Sequence, residues 1–227
     1  MSGNRKSDTN SIRSDLKIIV IGSSGAGKTS YVNKWTKNIF QEEYKATIVS
    51  EFGFKVFEHE GKLYRIQLWD LGGQDKNSTI TKIFAKDSHG CIIVADALRP
   101  QNLEETLKWK NAVDEAVTFY DDGQLPAVLV QNKVDLLPEE EQDNVEELKK
   151  FSEENGFNGY FRASAKTGKN ISESMEFLIK EIIKRLEEIN SKGNADFNKD
   201  RGSVALDPDK HNKEADLKRK NEPSGCC

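Results

Sequence analysis

The 227-residue sequence predicts an α/β fold: a six-stranded, mostly parallel sheet with one antiparallel edge strand and helices on both faces. Three observations carry this. Short apolar runs alternate with stretches of helical period, the pattern left by parallel strands joined through crossover helices. The turn His59-Glu60-Gly61 separates two strand-like runs so closely that they form a hairpin, which supplies the antiparallel edge. The glycine-rich run Gly22-Ser23-Ser24-Gly25-Ala26-Gly27-Lys28-Thr29 follows the first strand directly and opens a helix, the position a phosphate cradle requires.

Taken in order, residues 1–14 read as a disordered, largely polar leader. The strands are expected at Leu16–Ile21, Glu51–Glu58, Lys62–Trp69, Gly90–Ala95, Ala127–Gln131 and Tyr160–Ala163. Among the helices between them, the clearest is the stripe Ile171, Met175, Leu178, Ile182, Leu186 and Ile189, spaced for one buried helical face. That stripe is core packing and carries no chemistry. From Ser191 onward apolar residues nearly vanish, and Lys, Asp, Asn and Gly fill a segment that cannot offset its own ordering entropy. The expected organisation is therefore one domain over residues 15–190 and a flexible tail over 191–227, reaching roughly 30 Å as a random coil.

A formal net charge of −4 gives no basic field, which makes nucleic acid a poor partner. No apolar run approaches the ~20 residues of a membrane span, and the leader has no signal-peptide core. Ser2 stands where N-terminal myristoylation needs glycine. Cys91 sits alone in an apolar run and reads as a small buried hydrophobe of a reduced, cytosolic protein, whereas Cys226 and Cys227 end the chain.

The run at Gly22 fits GxxxxGK[ST] without a gap. Its glycines let the backbone curl so that amides from Ser24 through Gly25, Ala26, Gly27, Lys28, Thr29 and Ser30 cradle phosphates beside the positive end of a helix. Lys28 would reach the β- and γ-phosphates, and the Thr29 hydroxyl would bind magnesium. Asp70-Leu71-Gly72-Gly73-Gln74 follows the third strand, where open α/β sheets bind ligands. Asp70 would hold the magnesium through a water, Gly73 would bring a backbone N–H to a γ-phosphate, and Gln74 would orient an attacking water.

Asn132-Lys133-Val134-Asp135 closes the fifth strand. The Asp135 carboxylate can accept from both N1–H and the exocyclic amine of guanine, donors that adenine does not offer in that geometry. Ser164-Ala165-Lys166 follows the sixth strand, where a backbone N–H can meet the guanine oxygen. Each string is weak alone; their order at successive strand ends is strong.

At these residues the chain resembles the Ras superfamily of small GTPases, from about Asp15 to Asn190, and so implies a P-loop G domain. Phe40 lies seven residues ahead of Thr47, the spacing at which that family sets an aromatic ring against guanine and a threonine on magnesium. Tyr44 falls where the family closes a tyrosine over the phosphates. Without the neighbouring motifs, Phe40 reads equally as a core aromatic and Thr47 as a surface threonine.

Within the superfamily the chain looks most like a Rab, by Trp69, Phe52 and the terminal Cys226-Cys227. Leu107–Lys110, Pro126–Lys133 and Phe52–Val56 resemble the Rab subgroup of lysosome-related organelles. The resemblance implies binding of GTP and GDP with Mg2+, slow hydrolysis and effector recruitment for vesicle traffic. It also implies an exchange factor, an activating protein, and prenylation and GDP-dissociation-inhibitor machinery acting on a monomer. Double geranylgeranylation of Cys226 and Cys227 would anchor it to endosomal or lysosome-related membranes from the cytosol, since one lipid chain anchors only marginally. Lys218-Arg219-Lys220 reads equally as solvated charge or as added attraction to an anionic leaflet.

Two stretches depart from the Rab pattern. Ile48-Val49-Ser50-Glu51-Phe52 replaces IGVDF, and Gly72-Gly73-Gln74-Asp75-Lys76-Asn77 replaces AGQERF. Both lie where partners would read the GTP state. The double glycine also resembles Arf proteins, and a loosened Gln74 loop would leave a GTP-holding module without hydrolysis. A P-loop kinase or ATPase would leave Asn132 and Asp135 idle.

Overall fold

The computed structural model describes residues 12–43, 47, 50–73, 79–99 and 101–196. In chain order the elements are β1 (Ile12–Ile21), α1 (Lys28–Lys37), β2 (Ser50–His59), β3 (Lys62–Leu71), α2 (Thr79–Ala85), β4 (Gly90–Asp96), α3 (Asn102–Asp114), β5 (Ala127–Asn132), α4 (Glu146–Glu154), β6 (Gly159–Arg162) and α5 (Ile171–Asp196). The six strands form one sheet in the order β2-β3-β1-β4-β5-β6. Only β2 runs antiparallel to its neighbour; β3, β1, β4, β5 and β6 pair in parallel. Glu60 and Gly61, both at positive φ, make the two-residue turn that closes the β2–β3 hairpin.

Strand periodicity divides the core into two layers. Leu16, Ile18 and Val20 of β1 face one way, with Ile92, Val94, Val128 and Val130, onto Tyr31 and Trp35 of α1 and Met175, Leu178 and Ile182 of α5. Ile19 and Ile21 face the other way, with Cys91, Ile93 and Leu129, onto Leu103, Trp109 and Val113 of α3 and Leu148 of α4. Helices therefore cover both faces, as the alternation of patterns predicts. The central strands β4 and β5 are buried throughout, which is why they read as unbroken apolar runs. Cys91 is one of these buried residues, and burial pushes its thiol up to about 12, so it behaves as a small hydrophobe.

Two boundaries differ from expectation. The strand that opens the sheet begins at Ile12, inside the segment expected to be a disordered leader, and pairs in parallel with β3 from Leu63 onward. Backbone pairing and the Asp15–Arg65 ion pair extend it there, features that an apolar pattern does not report. At the other end α5 continues through Asp196, past the last apolar residue of its stripe, because adding a residue to an existing helix costs little. The compact unit that carries the sheet runs to Ile189; of the unit that follows, residues 190–196 are described and are helical. Tyr44, Gln74, Cys226 and Cys227 lie outside the described residues.

Candidate functional site

β1 delivers the chain to the carboxyl edge of the sheet, and the loop after Ile21 turns back into α1. Gly27 caps that helix at φ +90, with no side-chain hydrogen bond and no acidic residue in the first turn. The helix's first N–H groups thus stay available to an anion. A Cβ at Gly27 would come within 2.3 Å of the Asn132 side chain, so only glycine lets the loop approach so closely. Lys28 is buried; its ammonium donates to the carbonyls of Gly22 at 2.9 Å and Ser23 at 3.1 Å. Burial lowers its pKa to about 8 against the opposing pull of Asp70.

The neighbouring corner brings together three oxygens expected around a metal. Thr29 Oγ1 donates to Asp70 Oδ2 at 2.5 Å and lies 2.8 Å from Thr47 Oγ1. Asp70 is fully buried at the end of β3, and burial raises its carboxyl to about 6, against the Thr29 hydrogen bond and the Lys28 charge. Its second oxygen, Oδ1, is buried without a hydrogen-bond partner among the described residues. Two hydroxyls and a carboxylate with an unused buried lone pair fit a small hard cation that takes its other ligands from phosphate and water. Among the described residues, no group of three or more His, Cys, Asp or Glu side chains could hold a metal ion. Gly73 packs against this corner so tightly that a Cβ would fall 2.5 Å from the Ser24 nitrogen and 2.6 Å from Lys28 Nζ.

The opposite end is built by the β5 and β6 loops. Asn132, buried at the end of β5, donates from Nδ2 to the Ala26 carbonyl at 2.9 Å and accepts from the Ala165 N–H at 3.0 Å. Its side chain thus ties the glycine-rich loop to the loop after β6. Ser164 donates to Asp135 Oδ1 at 2.5 Å and accepts from the Thr167 N–H, which fixes the carboxylate's direction. Lys133 adopts φ +71 and donates to Asp96 at 2.7 Å.

One cavity of about 430 Å³ joins the two ends. Of the residues the sequence singled out, Ser24, Gly25, Gly27, Lys28, Thr29, Ser30, Phe40, Thr47, Gly73, Asn132, Lys133, Asp135, Ala165 and Lys166 line it. Ala26, Asp70 and Ser164 stand behind the wall. The Ala26 N–H turns back to the Ser23 carbonyl, and Ser164 acts through Asp135. Phe40 packs against the core layer under α1 and also lines the cavity. At the rim Lys166 pairs with Glu42 at 3.2 Å.

Sequence reasoning missed Asp96, the buried carboxylate at the end of β4 that orients Lys133 and accepts from the Leu98 N–H. Its signal was available: a carboxylate closing an otherwise apolar strand beside Asn132, its register partner on β5. Glu51 also lines the cavity, opposite Asp70 in the β2–β3 register.

A profile of the Ras family matches residues 17–184. The chain is 35% identical over 213 residues to Ras-related protein Rab-32 of Sus scrofa, covering 93% of this chain and 88% of that protein. It is 36% identical over 186 residues to Ras-related protein Rab-32A of Dictyostelium discoideum, covering 81% and 85%. It is also 32% identical over 170 residues to Ras-related protein Rab-7L1 of Homo sapiens, covering 74% and 83%. The chain belongs to the Ras family of small GTPases. Within that family it is a Rab, as its relatives Rab-32 and Rab-7L1 are.

Replacing Asn132 by alanine leaves the Ala26 carbonyl and the Ala165 N–H buried and unpaired. Urea unfolding of the nucleotide-stripped protein is expected to show a loss of about 3 kcal/mol, and a loss below about 1 kcal/mol contradicts the tie.

Proposed function

We propose that the protein is a switch set by guanine nucleotide: it binds GTP or GDP with Mg2+, hydrolyses GTP slowly and recruits effectors to intracellular membranes while GTP is bound. The observation that supports this most directly is the single cavity with the Lys28–Thr29–Asp70 corner at one end and the Ser164-oriented Asp135 at the other.

In this reading Lys28 and the α1 N-terminus hold the phosphates, and Asp135 accepts two hydrogen bonds from guanine while the Ala165 loop faces its oxygen. Phe40 covers the base. Bound Mg2+ would neutralise charge on the phosphate oxygens, with Thr29 and Thr47 holding it and Asp70 orienting its water shell. Gln74 positions the attacking water. Thr47 and Gly73 are the points at which a γ-phosphate draws the two flanking loops inward, and its loss releases them.

No arginine lines the cavity among the described residues. Intrinsic turnover is then slower by about a thousandfold or more than turnover assisted by an arginine supplied in trans. An activating protein and an exchange factor follow as partners. Among the described residues no helix is long and apolar enough to cross a membrane. In this reading the membrane anchor is a pair of prenyl groups on Cys226 and Cys227. The relatives Rab-32 and Rab-7L1 support an endomembrane site of action.

Competition against a fluorescent guanine nucleotide tests the nucleotide assignment. GDP is expected to displace it at a concentration at least about a hundredfold below ADP, and equal potency would defeat the assignment. For the anchor, full-length protein carrying Gln74→Leu should form membrane puncta in cells, and the same protein without Cys226 and Cys227 should be diffuse. Identical distributions would remove the lipid-anchor proposal.

A further inference from the structure

The glycine-rich loop is held from a direction that its own motif does not explain. Ser23 Oγ donates to Glu105 Oε2 at 2.5 Å, across a sequence separation of 82 residues. Glu105 lies in the first turn of α3, a helix fixed on the core by Leu103, Trp109 and Val113. A half-buried carboxylate on a rigid helix thus grips a nearly buried serine inside the loop.

Ser23 is the residue through which that grip reaches the chemistry. Its carbonyl accepts from Lys28 Nζ at 3.1 Å and from the Ala26 N–H at 3.2 Å. The peptide between Ser23 and Ser24 is also the surface on which Gly73 rests. Rotation of this one peptide would move the carbonyl that holds Lys28, the wall beneath Gly73 and the first amide of the cradle together. A hydrogen bond to an ionised carboxylate is about twice as strong as a neutral one, so the Glu105 contact is suited to hold that peptide in one orientation.

The geometry points to Glu105 as a positioning residue for the phosphate-binding loop: through Ser23 it orients the Ser23–Ser24 peptide and so slows nucleotide release. This rests on the cavity's reading as a guanine-nucleotide site. Glu105 does not line the cavity; it acts from α3, on the Ser23 hydroxyl. Glutamine at this position keeps an acceptor oxygen for Ser23 and also removes a negative charge from the neighbourhood of the phosphates. Alanine removes the acceptor altogether.

The test follows release of N-methylanthraniloyl-GDP from the full-length protein in magnesium buffer, for wild type, Glu105→Ala, Glu105→Gln, Ser23→Ala and the double variant Ser23→Ala/Glu105→Ala. Glu105→Ala and Ser23→Ala should each speed release about tenfold, the size expected for losing one charge-assisted hydrogen bond. The double variant should be no faster than either single one, because both remove the same contact. Glu105→Gln, which keeps the acceptor but only as a neutral partner, should release faster than wild type and more slowly than Glu105→Ala. A merely structural role for Glu105 in α3 would lower thermal stability without this pattern. Release from Glu105→Ala within twofold of wild type, additive effects in the double variant, or a glutamine variant as fast as alanine each overturn the inference. If wild type itself fails to hold the labelled GDP, the nucleotide reading falls and this inference falls with it.

Discussion

The Asn132 carboxamide sets the spacing on which the rest of the site depends. One side chain, buried where β5 ends, holds the Ala26 carbonyl with its nitrogen and the Ala165 N–H with its oxygen. These two contacts belong to loops from opposite ends of the cavity, after β1 and after β6. Neither loop could fix its distance from the other alone, since each is irregular backbone anchored at one strand. The β4–β5 pairing that positions Asn132 also places Asp96 beside it, where that carboxylate holds Lys133. The sheet's ladder thus determines, through a few buried polar contacts, the separation between the Lys28 end of the cavity and the Asp135 end, the proposed phosphate and base ends. Burying such groups is costly unless each finds a partner, and here each partner is part of the site.

Electrostatics at the phosphate end have a different character, because there the polar groups remain incompletely compensated. Burial drives Lys28 down to about 8 and Asp70 up to about 6, shifts in opposite senses that both favour neutral forms. Their mutual attraction opposes these shifts without cancelling them. Among the described residues Asp70 Oδ1 has no hydrogen-bond partner. A triphosphate would bring negative charge to Lys28, and a divalent cation would bring positive charge to Asp70, so the same ligand pair would stabilise both ionised forms. The two loops that meet this corner do so through Thr47 and Gly73, which makes the corner a natural place for loop position to respond to the state of the phosphates.

Much of this was legible in the sequence, and the parts that were not share a physical cause. Strand alternation separates Ile18 from Ile19 and assigns them to opposite layers; the stripe from Ile171 to Ile189 identifies α5; and the short turn before Lys62 gives the antiparallel edge. Most of the residues that line the cavity fall in strings whose residue types recur at fixed intervals, which is why the sequence singled them out. What escaped depends on contacts distant in sequence. Ile12 and Ser14 join a strand through backbone pairing with β3, and Asp96 and Glu105 act on residues 37 and 82 positions away. Asn132 was found as a motif residue, but its work as a tie between loops requires the fold to bring Ala26 beside it. The identity of a carboxylate does not reveal its partner until the chain has closed.

All of these contacts bear on one proposal: that a purine is recognised at Asp135 while its phosphates are gripped at Lys28, within the one cavity that both residues line. Gel filtration of purified wild type and Asp135→Ala in magnesium buffer, followed by nucleotide analysis of the protein peak, addresses it directly. Wild type should carry stoichiometric guanine nucleotide and Asp135→Ala should emerge largely empty. Equal guanine nucleotide in both, or none in wild type, would contradict the account.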